Sequence, residues 1–422
     1  MKPYPKYKGS GVEWIGKIPE GWNSIKLKRI SQNHDGKRVP LSSDQRGEMS
    51  GNIPYYGACG IIDHVNKYLF EGEFLLVGED GAPFFIPNKD VAFIASGRFW
   101  VNNHAHILSI TMGSLKFVCY AMNRVDYKGY ITGSTRDKLT QGDLMEIIIP
   151  QPSLAEQQQI ASFLDTKTSL IDEAIEKKER LIELLEEERT AKINHAVTRG
   201  LNPKIELKES GVEWLGKIPK HWIVKKLSWC FRMIGSGTTP KSDDMTYYED
   251  GDVPWVNTGD LNDSILHQSS KNITKKALKD YSTLKIYPAG TLLIALYGAT
   301  IGKLAMINFP ATTNQACCAM ADSDVLNSVY SFYFLSSQKE RIISLAVGGG
   351  QPNISQELIR NFRISVPPLP EQQQIVDYLN QETTKIEQTI NRIQKEIELL
   401  QEYRTALISE AVTGKIDVRG LA

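Results

Sequence analysis

The sequence LAEQQQIASFLDTKTSLIDEAIEKKERLIELLEEERTAKINHAVT, residues 154–198, decides the fold of this chain. Apolar or small residues recur in it at alternating intervals of four and three, which is the heptad seam of a coiled coil. These seam positions are Leu164, Thr168, Ile171, Ile175, Ile182, Leu185 and Ala196. Charged residues of high helix propensity fill the positions between them. The stretch therefore predicts one long helix whose narrow apolar face needs a partner.

A second copy of this stretch, at residues 369–413, supplies that partner. Its seam positions are Leu379, Thr383, Ile386, Ile390, Ile393, Ile397, Leu400, Leu407 and Ala411. At about 1.5 Å per residue, each helix is a rod of about 65 Å, much longer than an ordinary globular helix. We therefore expect the two helices to pair with each other.

Three basic residues interrupt the seam of the first helix, namely Lys178, Arg189 and Lys192. The second copy has Ile393 and Leu407 at two of these positions. Because a charged side chain weakens an apolar seam, we expect this part of the first helix either to face a partner or to splay from the second helix.

A second repeat precedes each globular segment, and we call it the tryptophan motif. Residues 10–22, SGVEWIGKIPEGW, return 200 positions later as SGVEWLGKIPKHW at residues 210–222. A repeat of this length indicates a duplicated domain and not a solenoid unit. The predicted layout is a first globular domain at 1–152, a first helix at 153–200, a second globular domain at 201–367, and a second helix with a short tail at 368–422.

The order of the repeated elements is circular, which means that each long helix is followed by a tryptophan motif if the two ends of the chain are imagined as joined. The first helix runs straight into the second tryptophan motif, and the end of the chain would repeat that junction if it were joined to Met1. This order predicts a pseudo-twofold molecule in which the two helices pair antiparallel.

Both globular domains contain short β-type runs separated by Gly and Asp. These runs lie at residues 74–78, 91–94, 106–110, 290–296 and 303–307. Each domain ends with a glycine turn (133–135 or 348–350), a short helix, an apolar strand and a proline before the long helix. The predicted fold class is α+β: two mixed α/β, strand-rich domains separated by two long antiparallel coiled-coil helices.

Composition limits the possible function. The chain has 41% hydrophobic residues and shows neither a signal peptide nor an apolar run of membrane-spanning length, so neither export nor membrane insertion is expected. Its five cysteines form no CxxC pair, which favours free thiols in the cytoplasm and no metal site. The 49 basic and 49 acidic residues argue against a protein that binds nucleic acid alone, but not against one whose partners add positive charge.

Motifs for catalysis are weak. The segment 298–303, GATIGK, resembles a phosphate loop, but its glycines are one residue too close, so a tight turn between strands is the better interpretation. His104 and His106 alternate as on one strand face, but lack a third ligand at convincing spacing, so a core or turn role is favoured over a metal site. Pro367-Pro368 lacks the flanking residues of an amino-methyltransferase signature. We therefore expect no catalytic site.

The remaining sequence features indicate a binding function. Polar, aromatic and glycine residues cluster in the globular domains, and Asn, Gln, Arg and Lys are the residue types that read base edges. Asn and Asp also make turns, and Trp also fills cores, so each residue by itself is a weak indication. The candidate DNA-binding residues are Glu79, Asp80, Arg98, Trp100, Asn102, Asn103, His104, Arg136, Lys241, Asn257, Tyr297, Thr300, Lys303, Asn314, Gln315, Gln351 and Asn353.

The combination of duplicated features resembles the specificity subunit of type I restriction-modification systems. The features are the tryptophan motif, a variable segment, and the Glu-Gln-Gln-Gln-Ile opening of a long heptad helix. Within the variable segments, residues 52–57, 78–81 and 100–106 resemble one class of target recognition domain. Residues 252–256, 259–261 and 298–303 resemble another. The resemblance covers essentially the whole chain.

By this resemblance, each target recognition domain reads one half of a split site in double-stranded DNA. The helices hold the domains at a fixed separation and bind two methyltransferase subunits, through which restriction subunits join the complex. S-adenosylmethionine and ATP with magnesium are expected on those partners, so this chain itself needs no cofactor. The alternatives are a scaffold without sequence-specific DNA binding and, less favoured, an enzyme in its own right.

Overall fold

The computed structural model describes residues 2–86, 88–132, 137–348 and 352–421. The chain forms two compact units. Unit 1 comprises residues 1–180 and 393–422, and unit 2 comprises residues 181–392. Each unit therefore contains one globular domain together with part of both long helices.

The first half of the chain contains twelve strands and four helices among its described residues. The elements are β1 (Tyr7–Gly9), β2 (Lys17–Pro19), β3 (Asn23–Lys26), β4 (Ser31–Asn33), α1 (Ser43–Glu48), β5 (Ser50–Gly57), β6 (Gly60–Val65), β7 (Phe70–Gly78), β8 (Ala92–Val101), β9 (Ala105–Ile110), α2 (Leu115–Met122), β10 (Ile131–Thr132), β11 (Lys138–Leu139), α3 (Gln141–Glu146), β12 (Ile148–Gln151) and α4 (Leu154–Arg199).

The second half continues this numbering through its described residues. The elements are β13 (Leu207–Glu209), β14 (Lys217–Pro219), β15 (Ile223–Lys226), α5 (Leu227–Cys230), β16 (Met233–Ser236), β17 (Val253–Val256), β18 (Ser264–Leu266), β19 (Asn272–Ile273), α6 (Lys275–Asp280), β20 (Leu292–Ala295), β21 (Leu304–Ile307), β22 (Thr312–Thr313), β23 (Cys317–Ala321), α7 (Ser328–Ser337), α8 (Lys339–Ser344), α9 (Gln356–Asn361), β24 (Arg363–Val366) and α10 (Leu369–Val412).

Unit 1 is built on a six-stranded sheet of order β4-β9-β7-β8-β5-β6. The pairs are antiparallel except β5 with β8, which run parallel. The predicted runs 74–78, 91–94 and 106–110 fall largely in β7, β8 and β9, so these strand predictions are confirmed. α2 packs on one face of this sheet, where Phe117 and Val118 are buried with Leu75 and Val77 of β7.

Unit 2 has a five-stranded sheet of order β16-β23-β20-β21-β18 and a smaller sheet of order β19-β17-β22. β20 and β21 are antiparallel neighbours, so the segment 298–303 is a strand-to-strand turn as predicted. All four residues of β20 and all five of β23 are buried. Continuous apolar runs of this kind are typical of strands covered on both faces.

The two long helices pair antiparallel in each unit, which confirms the predicted fold class. In unit 1 the start of α4 and the end of α10 share one core, which contains Leu164 and Ile171 with Leu407 and Ala411. In unit 2 the end of α4 and the start of α10 share another, which contains Ala196 with Leu379. The predicted seam is buried at Leu164, Ile171, Leu379, Ile386, Ile390 and Ile393, and half-buried at Ile175, Ile182, Leu185, Ile397 and Leu400.

Two of the three basic residues of the first seam, Lys178 and Lys192, have acidic partners on the opposite helix, which was not predicted from the sequence. The third, Arg189, pairs with Glu186 of its own helix. Lys178 pairs with Glu396 in unit 1. In unit 2 the Lys192 Nζ lies 2.7 Å from a carboxylate oxygen of Glu382. The helices therefore stay paired at both lysines, and the expected splaying does not occur there.

A buried glutamine at the same position of each long helix joins it to its globular domain. Gln157 accepts a hydrogen bond from the Ser114 N–H, just before α2, at 2.8 Å. Gln372 accepts one from the Asn327 N–H, just before α7, at 2.7 Å. Both amides also donate to the carbonyl of the proline five residues earlier, Pro152 or Pro367. The duplication seen in the sequence thus extends to individual hydrogen bonds.

The tail after α10 packs against the first tryptophan motif, as the circular order predicts. The Lys415 ammonium donates to the Ile15 carbonyl of the motif at 3.1 Å. Just before the motif, the Asp417 N–H donates to the Lys2 carbonyl at 2.8 Å, and the Tyr7 hydroxyl donates to the Gly414 carbonyl at 3.0 Å. In unit 2 the equivalent Gly200, which has a positive φ of 75°, lies against the Trp222 ring. Among the described helices, none is both long and apolar enough to cross a membrane.

Candidate nucleic-acid interface

Four segments of unit 1 meet at one edge of its sheet, and we call this surface the first rim. It comprises residues 35–39, 78–82, 102–105 and 137–139. Backbone hydrogen bonds hold the segments together: the Glu79 N–H donates to the His104 carbonyl at 2.8 Å, and the Leu139 N–H donates to the Glu79 carbonyl at 2.7 Å. The candidates Glu79, Asp80, Asn102, Asn103 and His104 therefore lie together.

Glu79 is the centre of an ion-pair network in the first rim. One carboxylate oxygen accepts from Arg38 Nη1 at 2.6 Å, and the other lies 3.1 Å from Lys138 Nζ. Arg38 also donates to the Ala105 carbonyl at 2.8 Å. The Glu79 side chain is only 13% exposed. Its contacts make Glu79 a residue that holds the rim together.

Asp35 and His106 form the buried base of this network. Their closest side-chain atoms, Asp35 Oδ2 and His106 Nδ1, lie 2.5 Å apart, and His106 Nε2 lies 2.9 Å from the Leu139 carbonyl oxygen. Burial alone would raise the pKa of Asp35. The hydrogen bond and charge of His106, with a hydrogen bond from the Ile107 N–H, outweigh burial and lower that pKa. Asp35 therefore remains an anion beneath the rim.

Two candidates of the first rim face solvent more directly. The His104 ring pairs with Asp80, with Nδ1 at 2.5 Å from Oδ1, and it is 39% exposed. Asn103 is exposed, whereas Asn102 is buried and uses its side-chain oxygen to accept from the His104 N–H. His104 and Asn103 thus present polar atoms outward from a turn that Asn102 shapes.

Three potential metal ligands also lie in this network. Side-chain ligand atoms of Asp35, Glu79 and His106 are within 4.8 Å of one another. Arg38 and Lys138 already supply positive charge to the cluster, so its chemistry is that of an ion-pair network. His104 contacts Asp80, whereas His106 contacts Asp35, so the two histidines considered from the sequence do not share one site.

Two first-domain candidates lie elsewhere, and a third is outside the described residues. The Arg98 guanidinium is 58% exposed on β8, bonded to Glu71 at 3.1 Å and placed over the Tyr68 ring. Trp100 is buried, and its indole N–H donates to the Val39 carbonyl at 2.6 Å. Trp100 therefore supports the rim segment from within. Arg136 lies outside the described residues.

Several segments of unit 2 meet in a corresponding way, and we call this surface the second rim. It comprises residues 237–241, 255–260, 296–303, 314–316 and 353. The Asn314 N–H donates to the Val256 carbonyl at 3.0 Å, and the Leu296 N–H donates to the Ala316 carbonyl at 2.8 Å. Tyr297 and Asn353 are paired as an isolated β-bridge.

Hydrogen bonds, without ion pairs among the described residues, shape the second rim. The Asn314 side-chain oxygen accepts from the N–H groups of Ala316 and Cys317, each at 3.1 Å. The exposed Gln315 accepts from the Thr239 hydroxyl at 2.6 Å. Asn257 donates to the Trp255 carbonyl at 3.2 Å. Asn314 and Asn257 therefore shape turns, and Gln315 remains at the surface.

The other second-domain candidates are distributed along the same loops. Lys241 and Asn353 are exposed, and Tyr297, Thr300 and Lys303 are half-buried. Thr300 and Lys303 belong to the turn between β20 and β21, where the Lys303 N–H donates to the Thr300 carbonyl at 2.9 Å. Gln351 lies outside the described residues.

Comparison with known proteins identifies the family. The chain matches the type I restriction modification DNA specificity domain twice, over residues 19–186 and 219–399. This chain belongs to the type I restriction-modification specificity family. A putative type I restriction enzyme specificity subunit of Haemophilus influenzae is 28% identical over 382 residues, which cover 88% of each chain.

Solved structures share the fold of this specificity-family chain. A chain from a structure describing complex assembly and conformational transition of the type I R-M system aligns with a TM-score of 0.70 at 16% identity, covering 94% of this chain and 99% of that one. The HsdS subunit from Thermoanaerobacter tengcongensis aligns with a TM-score of 0.54 at 17% identity, covering 94% and 98%.

Most of the supporting residues of the first rim were not predicted from the sequence. Arg38, Asp35 and Lys138 were not among the candidates, and His106 was expected in a core or turn role without a named partner. Isolated charged residues in loops carry little sequence signal, because their partners are distant in the chain. The one sequence feature that could have indicated this network is the spacing of Asp35 and Arg38, three positions apart just after the short strand β4.

Proposed function

We propose that this chain is the DNA-recognition subunit of a type I restriction-modification complex. Each globular domain reads one half of a bipartite site in double-stranded DNA through its rim. The observation that carries the proposal is that the same scaffold occurs twice and bears two chemically different rims. A duplicated scaffold with unequal surfaces is suited to reading two different short sequences.

The paired helices support the second part of the proposal, that the gap between half-sites has a fixed length. Lys178 with Glu396 and Lys192 with Glu382 join the helices at two levels in the same antiparallel register. A fixed register resists sliding of one helix along the other. Linkage of the domains also makes the second DNA contact effectively intramolecular, which raises the overall affinity.

Partners complete the proposed complex. The neutral balance of 49 basic and 49 acidic residues leaves much of the phosphate neutralisation to other chains. We assign adenine N6 methylation with S-adenosylmethionine to two methyltransferase subunits, since that reaction needs the base outside the stack. ATP-driven restriction belongs to further subunits, and the complex acts in the cytoplasm.

The test is to co-express the chain with its methyltransferase subunit and map methylated adenines in the host DNA by single-molecule sequencing. We expect a split motif, with two short defined parts around a gap of constant length. An assembled, soluble complex that methylates without such a motif would favour the scaffold alternative.

A further inference from the structure

A groove of about 450 Å³ opens in unit 2 between strand β16, the segment 282–287 and helix α9. We call it the β16 groove, and its functional side chains are Ser236, Lys285, Tyr287, Gln356 and Arg360. The chain leads directly from this groove to the second rim. Ser236 precedes the rim loop 237–241, and Gln356 follows Asn353 by three residues.

Two cations in the β16 groove lack acidic partners. Lys285 and Arg360 make no ion pair with any described residue, and the groove's described lining includes no Asp or Glu. A third lining residue, Arg232, is neutralised by Asp322 and Asp324. The groove therefore presents two uncompensated positive charges.

Arg360 is held in place at the groove. Its Nη2 donates to the Ile234 carbonyl of β16 at 2.7 Å, and Gln356 Nε2 donates to the same oxygen at 3.0 Å. This leaves further guanidinium N–H groups available for another acceptor, because guanidinium carries five N–H donors.

Two residues that carry hydroxyl groups, Ser236 and Tyr287, line the groove. The Ser236 Oγ is buried and has no hydrogen-bond partner among the described residues. Tyr287 is 2% exposed, and its hydroxyl faces β16, where a Cβ added to Gly235 would lie 3.1 Å from it. Burial raises the pKa of Tyr287 to about 12, so the hydroxyl keeps its proton.

We propose that the β16 groove binds a phosphate group, supplied by the DNA backbone beside the half-site that the second domain reads. Two cations and two hydroxyl groups match the charge and the several acceptor oxygens of a phosphate. The position of the groove next to the second rim favours the DNA backbone as the source. The DNA source rests on the proposed function, whereas the phosphate chemistry does not.

The experiment uses the complex of this chain with its methyltransferase subunit and a duplex that carries the mapped site. Binding is measured by fluorescence anisotropy over a series of KCl concentrations. We expect K285Q and R360Q each to weaken binding and to reduce the slope of log affinity against log salt by about one, with the methylated motif unchanged. The control is K220Q, which removes an exposed lysine paired with Glu206.

The outcomes separate the two proposals. If K285Q, which alters an exposed and unpaired side chain, and R360Q both keep the wild-type slope while wild type methylates a split motif, the DNA-backbone site is wrong and the proposed function stands. Calorimetry with inorganic phosphate, without DNA, tests the chemistry separately. Phosphate binding that R360Q abolishes, with an unchanged DNA slope, would assign the groove to a free phosphate. Absence of both effects overturns the inference.

Discussion

The two rims use different chemistry on the same scaffold. Charged side chains hold the first rim together, with Glu79 between Arg38 and Lys138 above the buried Asp35–His106 pair. The described residues of the second rim form hydrogen bonds but no ion pairs; one example is the bond from Thr239 to Gln315. This difference indicates that the scaffold determines where the loops lie, whereas the side chains of each rim determine how its loops are held together. The first rim should therefore respond to charge changes and acid more than the second.

The largest expected effect is that of R38M. Removing this cation leaves Glu79 and Asp35 partly buried with less compensation, and breaking such an ion pair typically costs about 3 kcal/mol or more. We expect a loss of roughly that size in the free energy of unfolding, measured by chemical denaturation. The matched control is R98M, because the Arg98–Glu71 pair is exposed and solvent screening leaves it little effect on stability. Equal losses in both variants would contradict the network's role.

A second prediction concerns what the two units share. Q157A and Q372A each leave a backbone N–H and at least one carbonyl without a partner at a helix junction. Each should cost about 1–3 kcal/mol in the free energy of unfolding, measured by denaturation. A clear loss in one variant with none in the other would show that the scaffold is not equivalent in the two units.

Much of this shared scaffold could be predicted from the sequence. The heptad spacing gave the paired helices almost to their ends, because 3.5-residue periodicity is a local signal repeated many times. The duplicated tryptophan motif gave the circular order, which the contact between Asp417 and Lys2 confirms.

The rims could be predicted only in part. Their loops were located by clustered polar residues, but the roles of individual side chains depend on contacts between distant segments. Trp100 looked like a surface aromatic and lies in the core, and Arg38 was missed although it bridges three segments. The seam lysines looked unfavourable because their glutamate partners are about 200 positions away along the chain.

The third prediction concerns acid. The pKa of Asp35 is lowered in the folded chain, so this carboxylate stabilises the fold above its unfolded pKa of about 3.9. That contribution is lost as the pH falls through the lower folded pKa. Between about pH 5 and pH 3, wild type should lose more thermal stability than D35N. The control D44N, at an exposed position of α1, should follow wild type. If the unfolding temperatures of wild type and D35N fell equally over this pH range, ionised Asp35 would not stabilise the fold.

The smallest expected effect concerns the helix pair. Reversing Lys192 alone or Glu382 alone should lower the unfolding temperature slightly, and the double variant K192E/E382K should recover most of that loss. Lys178 with Glu396 in unit 1 provides the matching cycle. Thermal unfolding of the single and double variants measures the coupling. Additive losses in both cycles would show that these pairs do not hold the register.

The central claim is that each domain reads its own half-site while the scaffold sets the gap. The most direct measurement is to exchange residues 23–150 for the corresponding segment of another specificity-family chain and to map methylated adenines again. The account predicts that one half of the motif changes, while the other half and the gap length stay as in wild type. A change in both halves, or in the gap, would contradict it.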